Sequence, residues 1–139
     1  MNDSALIHEL LTGARTIAVV GYSTDPTRPS NSVSRYLRGQ GFRIVPVNPK
    51  LRGEVIDGEQ SYEHLADIPA GTRIDFADIF RRGDFLDAVV DDAIAAKIPA
   101  IWFQLDLGNV EAAVRAEAAG LRVVWDRCTA IEHRRLRAG

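Results

Sequence analysis

Thr16-Ile17-Ala18-Val19-Val20-Gly21 is a nearly unbroken apolar run closed by a glycine. A strand covered on one face alternates apolar with polar residues, whereas one covered on both faces is apolar throughout. The run therefore reads as the central strand of a parallel sheet. Upstream, Asp3 or Ser4 caps a short helix through about Leu11, with Leu6, Ile7, Leu10 and Leu11 on one face and Gly13 ending it. Downstream, Tyr22 to Pro29 is a polar, proline-bearing loop. Ser30-Asn31 then offers an N-cap to a helix that carries Val33, Tyr36 and Leu37 as far as Gly39 or Gly41.

The same alternation recurs along the chain. Phe42 to Val47 is the second strand, stopped by Asn48-Pro49, and Leu51 to Gly58 an exposed turn. Ser61 to Leu65 is a short helix with a capping box between Ser61 and the region of His64. Ile74 to Phe80 is the third strand, given an edge-like character by Asp75 and Asp78. Asp84 to Ala96 is a helix turning Phe85, Ala88, Val89, Ala93 and Ile94 inward. Ala100 to Phe103 is the fourth strand, Val110 to Ala119 a helix closed by Gly120, and Leu121 to Trp125 the fifth strand. Strand and helix in regular succession predict an α/β, Rossmann-like, doubly wound parallel five-stranded sheet with helices on both faces. The expected strand order is 3-2-1-4-5.

Composition sets the outer limits. The 139 residues suit one domain spanning 1–139, with residues 1–14 as an N-terminal helix and 134–139 as a basic tail. The hydrophobic fraction of 46% is ordinary for a globular core. A net charge of −2 argues against nucleic acid or an anionic membrane as partner. No apolar stretch approaches the roughly 20 residues that span a bilayer, and Met1-Asn2-Asp3-Ser4 is no secretory start, so a cytoplasmic location is expected. The single cysteine, Cys128, excludes an internal disulfide, and His8, His64 and His133 lack metal-ligand spacing.

Ligands in open parallel sheets bind outside the carboxyl ends of the strands, where the strand order reverses. The residues expected there follow from the strand ends. After strand 1 come Gly21, Tyr22, Ser23, Thr24 and Arg28, with Pro29, Ser30 and Asn31 opening the next helix; after strand 2, Asn48, Pro49, Lys50 and Arg52. After strand 3 come Phe80, Arg81 and Arg82, after strand 4 Gln104 and Asp106, and after strand 5 Asp126, Arg127 and Cys128. Arg28, Lys50, Arg52, Arg81 and Arg82 thus gather on one edge of an acidic chain. A helix start with free N–H groups points into the same crevice and favours anions. Taken singly, each cation reads as solvated surface charge; together they suit a ligand with several phosphates.

Gly21 is the only glycine between Val20 and Gly39, so the dinucleotide fingerprint G-x-G-x-x-G is missing. The second strand ends in Asn48-Pro49-Lys50 rather than in the acidic residue that holds the ribose of NAD. NADP stays open through Lys50 and Arg52, and no Walker A loop is present.

Val19-Val20-Gly21-Tyr22-Ser23, Arg28-Pro29-Ser30, Val45-Pro46-Val47-Asn48-Pro49, Asp78-Ile79-Phe80-Arg81-Arg82, Trp102-Phe103-Gln104-Leu105 and Asp126-Arg127-Cys128 with Glu132-His133 together resemble the stand-alone CoA-binding domain proteins of bacteria and archaea. That family is similar in turn to the CoA-binding domain of the succinyl-CoA synthetase alpha subunit. The resemblance implies coenzyme A as the ligand, with no known catalysis by the isolated domain. It implies that Gly21 to Ser30 hold phosphates, and that Asn48-Pro49-Lys50 and Phe80-Arg81-Arg82 hold the adenosine and its 3′-phosphate. It implies, too, that Gln104 faces the ligand from strand 4. The third strand, Phe76-Ala77-Asp78, is less aliphatic than in many relatives, and Leu105-Asp106-Leu107-Gly108 is more acidic.

Two function classes follow. The first is a binding module that holds CoA or an acyl-CoA without turnover. The second is an NADP-dependent or thiol-dependent acyl-CoA enzyme, with Cys128 as the candidate nucleophile and His133 nearby in sequence. The short chain leaves little beyond a nucleotide domain, so such an enzyme needs a partner chain, and a homo-oligomer is a further possibility. The plainer reading of Cys128 is a small residue capping the fifth strand.

Overall fold

A computed structural model describes all of residues 1–139. Five parallel strands form one sheet: β1 (Thr16–Val20), β2 (Arg43–Val47), β3 (Phe76–Ile79), β4 (Ala100–Gln104) and β5 (Arg122–Arg127). The helices are α1 (Ser4–Gly13), α2 (Pro29–Gly39), α3 (Phe85–Ala95), α4 (Val110–Ala118) and α5 (Thr129–Ala138). The fold class is the Rossmann-like one expected. No helix is long and apolar enough to cross a membrane.

The strand order is 2-1-3-4-5, which differs from expectation in the place of the third strand. β3 lies on the far side of β1, so β2 takes the edge. Pro46 explains this: proline cannot donate to a ladder and is confined largely to edge strands. Its carbonyl faces outward and accepts from Tyr62 N–H, so the edge of β2 is partly covered by the segment that follows it. That segment forms an antiparallel ribbon of Val55–Ile56 with Glu59–Gln60 in place of a plain turn. A single helical turn at Leu65–Asp67 comes after it, with the Asp67 carboxylate, in place of Ser61, accepting from His64 N–H.

β3 is central even though an aspartate lies in it and another just before it, because both are held within the fold. Asp75 accepts from the N–H groups of Arg15 and Thr16, and Asp78 is fully buried against Thr129. Side chains alternate faces along each strand. Ile17 and Val19 pack with α1, α2 and α5, while Ala18 and Val20 pack with α3, α4 and Leu65. Burial of Ile17, Val19 and Val20 contributes about 1.5–3 kcal/mol each, more than the whole range of strand propensities. Hence the run Thr16–Val20, buried throughout, decides the architecture.

In α3 the inward stripe is Leu86, Val89, Val90 and Ala93, whereas Phe85, Ala88 and Ile94 are exposed, contrary to the expected face. The stripe keeps helical spacing; it starts one residue later than read. Residues 134–138 of the expected basic tail are the end of α5, which begins at Thr129, and Gly139 caps it. The chain leaves β1 for β2 on one side and returns to β3 on the other. The crevice at the carboxyl ends of β1 and β3 is therefore the switch point.

Candidate functional site

β1 ends at Gly21, whose φ of +85° lies in the left-handed region that side chains avoid. Its N–H still donates to Val47 O, so the strand pairing runs to the edge before the chain turns. The next loop is stiffened by short-range bonds. Asp25 accepts from Thr27 N–H and Thr27 Oγ1, and these bonds hold its carboxyl below the usual range. Ser23 N–H donates to Ser30 Oγ at 3.0 Å, and Asn31 Nδ2 donates to Ser23 O at 2.9 Å.

These last two bonds revise the expected start of α2. Ser30 and Asn31 lie inside the helix, where they pin the loop, and Arg28 occupies the N-cap without making a side-chain capping bond. Pro29 has no N–H and Asn31 and Ser32 donate theirs to Arg28 O, so the N–H of Ser30 is the donor left at the helix start. On the neighbouring strand, Asn48 Nδ2 donates to Tyr22 O and Asn48 Oδ1 accepts from Lys50 N–H. Asn48 therefore works as a brace that sets the single turn Pro49–Leu51.

The residues read from sequence converge. Gly21, Tyr22, Ser23, Thr24, Arg28, Pro29, Ser30, Asn48, Lys50, Phe80, Arg81 and Arg82 all line one cleft of about 660 Å³. Leu51, Glu54 and Leu107 line it too, without having been singled out. Glu54 follows the Pro49–Leu51 turn, and its return to the cleft depends on that turn's geometry. The Tyr22 ring is buried in the core, and its main-chain N–H and carbonyl are taken by Val47 O and Asn48 Nδ2. Pro49 borders an adjoining apolar slot of about 200 Å³, floored by Val20, Val47, Leu65, Ala88 and Val89. Glu63, His64 and Asp92 stand at its rim, and burial raises the Asp92 carboxyl above its usual range. Arg81 borders both spaces, its guanidinium 3.7 Å from the centre of the Phe85 ring.

Arg28, Lys50, Arg81 and Arg82 make no ion pair with the chain, whereas Arg38, Arg43, Arg73, Arg115, Arg122 and Arg135 all do. Arg52, in the left-handed region after the turn, does not line the cleft. Gln104 does not line it either: it is buried, and its Oε1 accepts from both Thr129 N–H and Thr129 Oγ1. Cys128 is the half-buried N-cap residue of α5, packed toward the core and outside the cleft. His133 sits edge-on to Phe42 and hydrogen-bonds Tyr36 OH through Nδ1 at 2.8 Å. Burial, and then the charge of Arg137, lower its pKa. Trp102 is fully buried with its indole N–H on Arg127 O, as a core residue rather than a ligand platform.

Residues 15–134 match the family described as CoA binding domain. The chain belongs to that family. This CoA-binding domain is 33% identical over 131 residues to the protein YneT of Bacillus subtilis, covering 94% of each. A solved structure from Thermus thermophilus is similar at 39% identity and a TM-score of 0.88, covering 98% of this chain and 99% of the other. An acetyl-coenzyme A synthetase of Ca. Korarchaeum cryptofilum is similar at 27% identity and a TM-score of 0.68. There 83% of this chain matches only 26% of a much longer one.

Proposed function

We propose that the chain binds coenzyme A or an acyl-CoA in the cleft at the carboxyl ends of β1, β2 and β3, as a binding module without turnover. The observation that carries this reading is four unpaired cations around an uncapped helix start, in a chain of net charge −2. Charge-assisted hydrogen bonds contribute about 1.5–3 kcal/mol each, so spread cations favour a ligand with separated phosphates over a single one. The pyrophosphate of CoA lies at the start of α2, against Ser23, Thr24 and Arg28. The 3′-phosphate lies between Lys50 and Arg82, and the adenine enters the apolar slot beside Pro49 and Arg81. The pantetheine arm leaves past Leu107.

The candidate nucleophile of the enzyme reading stands apart from the cleft. Cys128 does not line it, and His133 is engaged with Tyr36. A second reading, a chain that works with a partner to make an acyl-CoA enzyme, is favoured by the synthetase relative, in which the matching part is a minor share of the whole.

The test is a thermal-shift panel with CoA, acetyl-CoA, NADPH, NADH and ATP. A ligand at 100 times its dissociation constant adds about 2.7 kcal/mol to stability. Stabilisation by CoA or acetyl-CoA, and not by NADPH or NADH, is expected. Stabilisation by NADPH alone would overturn the reading.

A further inference from the structure

One carboxylate stands among the cations of the cleft. Glu54 lines the same space as Arg28, Lys50, Arg81 and Arg82. Its exposed side chain makes no ion pair with the chain, whereas Glu9, Glu59, Glu117 and Glu132 are all paired. Against a ligand with several phosphates such a charge is repulsive wherever a phosphate comes close. It is compatible with binding only where the ligand presents a hydrogen-bond donor instead.

The turn that carries Glu54 brings it back to the cleft. Arg52 and Gly53 both lie in the left-handed region, with φ of +49° and +77°, and the chain reverses there. Glu54 N–H then donates to Leu51 O at 3.0 Å, and Glu54 O accepts from Ser61 N–H at 3.0 Å. The residue is thus tied to the turn on one side and to the segment after the ribbon on the other. Lys50 and Glu54 leave the two sides of one turn and reach one cleft without closing an ion pair on each other.

Two adjacent positions of opposite preference follow. One takes a phosphate; the other rejects a phosphate and takes a hydroxyl. The ribose of CoA has this pattern, with a phosphate on the 3′ oxygen and a free hydroxyl on the adjacent 2′ oxygen. The adenosine of NADP has the reverse. In dinucleotide folds a carboxylate near the end of the second strand accepts from the 2′-hydroxyl. This chain has Asn48-Pro49-Lys50 there, and the carboxylate comes from the far side of the turn.

We propose that Glu54 determines which ribose oxygen carries the phosphate, by accepting a hydrogen bond from the 2′-hydroxyl of CoA and repelling a 2′-phosphate. This rests on the CoA reading. It adds a selection that Lys50 and Arg82 do not supply, since cations attract a phosphate on either oxygen.

The experiment measures calorimetric affinities for adenosine 3′,5′-bisphosphate and adenosine 2′,5′-bisphosphate, which have the same charge and differ only in the ribose oxygen that is phosphorylated. CoA is titrated beside them. The wild type is expected to favour the 3′ isomer. Glu54→Gln keeps the size and an acceptor oxygen and removes the charge. It is expected to lower the ratio of the two affinities about fivefold to tenfold, the share of one close like-charge contact in water. Glu9→Gln makes the same change in net charge at the opposite edge of the sheet, beside Pro99 and Arg122, and is expected to leave the ratio unchanged. A ratio that does not fall in Glu54→Gln, or that falls as much in Glu9→Gln, would overturn the inference. Wild-type protein that binds CoA and both isomers alike would refute the selection alone. Binding of none of the three, or a wild-type preference for the 2′ isomer, would refute the CoA reading itself.

Discussion

A Cβ placed on Gly21 lies 2.7 Å from the carbonyl oxygen of Phe80, so the ends of β1 and β3 meet with no room for a side chain between them. The same Cβ falls 2.9 Å from Cδ of Arg81. The glycine is thus needed twice, for its left-handed φ and for the close approach that sets Arg81 beside the cleft. Gly21→Ala is expected to cost about 2 kcal/mol of stability and to weaken CoA more than that loss explains, because Phe80 and Arg81 must move. Gly39→Ala is the contrast. Nothing lies within 4 Å of a Cβ there and the position is helical, so a gain of up to about 1 kcal/mol is expected. Denaturant unfolding of both variants, with CoA titration of the first, checks the pair.

The run Thr16–Val20 made the fold class legible, because continuous apolarity requires cover on both faces. The cleft was legible for a related reason: residues just past strand ends share one edge whatever the strand order. That is why Arg28, Lys50, Arg81 and Arg82 were found even though β3 was placed beside the wrong neighbour. Pro46 held the missing signal for the order, as a residue that belongs on an edge. Asp78 was misread for the opposite reason. Its charge suggested exposure, and its partner, Thr129, lies 51 residues away in sequence. The brace roles of Ser30, Asn31 and Asn48 depend on loop geometry and had no sequence signal.

Separate cations for separate phosphates lead to a selective effect. Lys50→Ala and Arg82→Ala are each expected to weaken CoA several-fold more than they weaken dephospho-CoA, since they remove partners of the 3′-phosphate. Arg28→Ala is expected to weaken both ligands alike, because both keep the pyrophosphate. Affinities measured side by side at one ionic strength decide the matter. Equal losses in Lys50→Ala would remove the 3′-phosphate assignment.

His133 gives the fold a defined pH dependence. Its folded pKa lies below the ordinary value of 6.5, through burial first and then through Arg137. The unfolded chain therefore takes up the proton first as pH falls. Stability from this group is fully present above about pH 6.5 and is lost as pH drops below it. Proton NMR is expected to show His133 titrating below the ordinary histidine range, and Arg137→Gln is expected to move the midpoint upward. A midpoint unchanged by Arg137→Gln would mean that burial alone sets it.

Asn2 occupies the open edge of the sheet at β5. Its N–H donates to Val123 O, its Nδ2 donates to Trp125 O at 2.7 Å, and its Oδ1 accepts from Trp125 N–H at 2.7 Å. One residue thus stands in for a sixth strand, and its φ of +51° is one that asparagine tolerates better than most residues. An uncovered edge is a template for pairing with another chain. Asn2→Ala frees the main-chain groups of Trp125, so a loss of about 1–2 kcal/mol is expected, together with self-association that grows with concentration. Asn2→Asp keeps the acceptor and sets a carboxylate against Trp125 O, so it is expected to destabilise at least as much at neutral pH and to recover in part when the carboxyl is protonated. Light scattering across a concentration series, paired with denaturant unfolding, reads both effects. Stability and mass unchanged in Asn2→Ala would show that water covers the edge as well as the asparagine does.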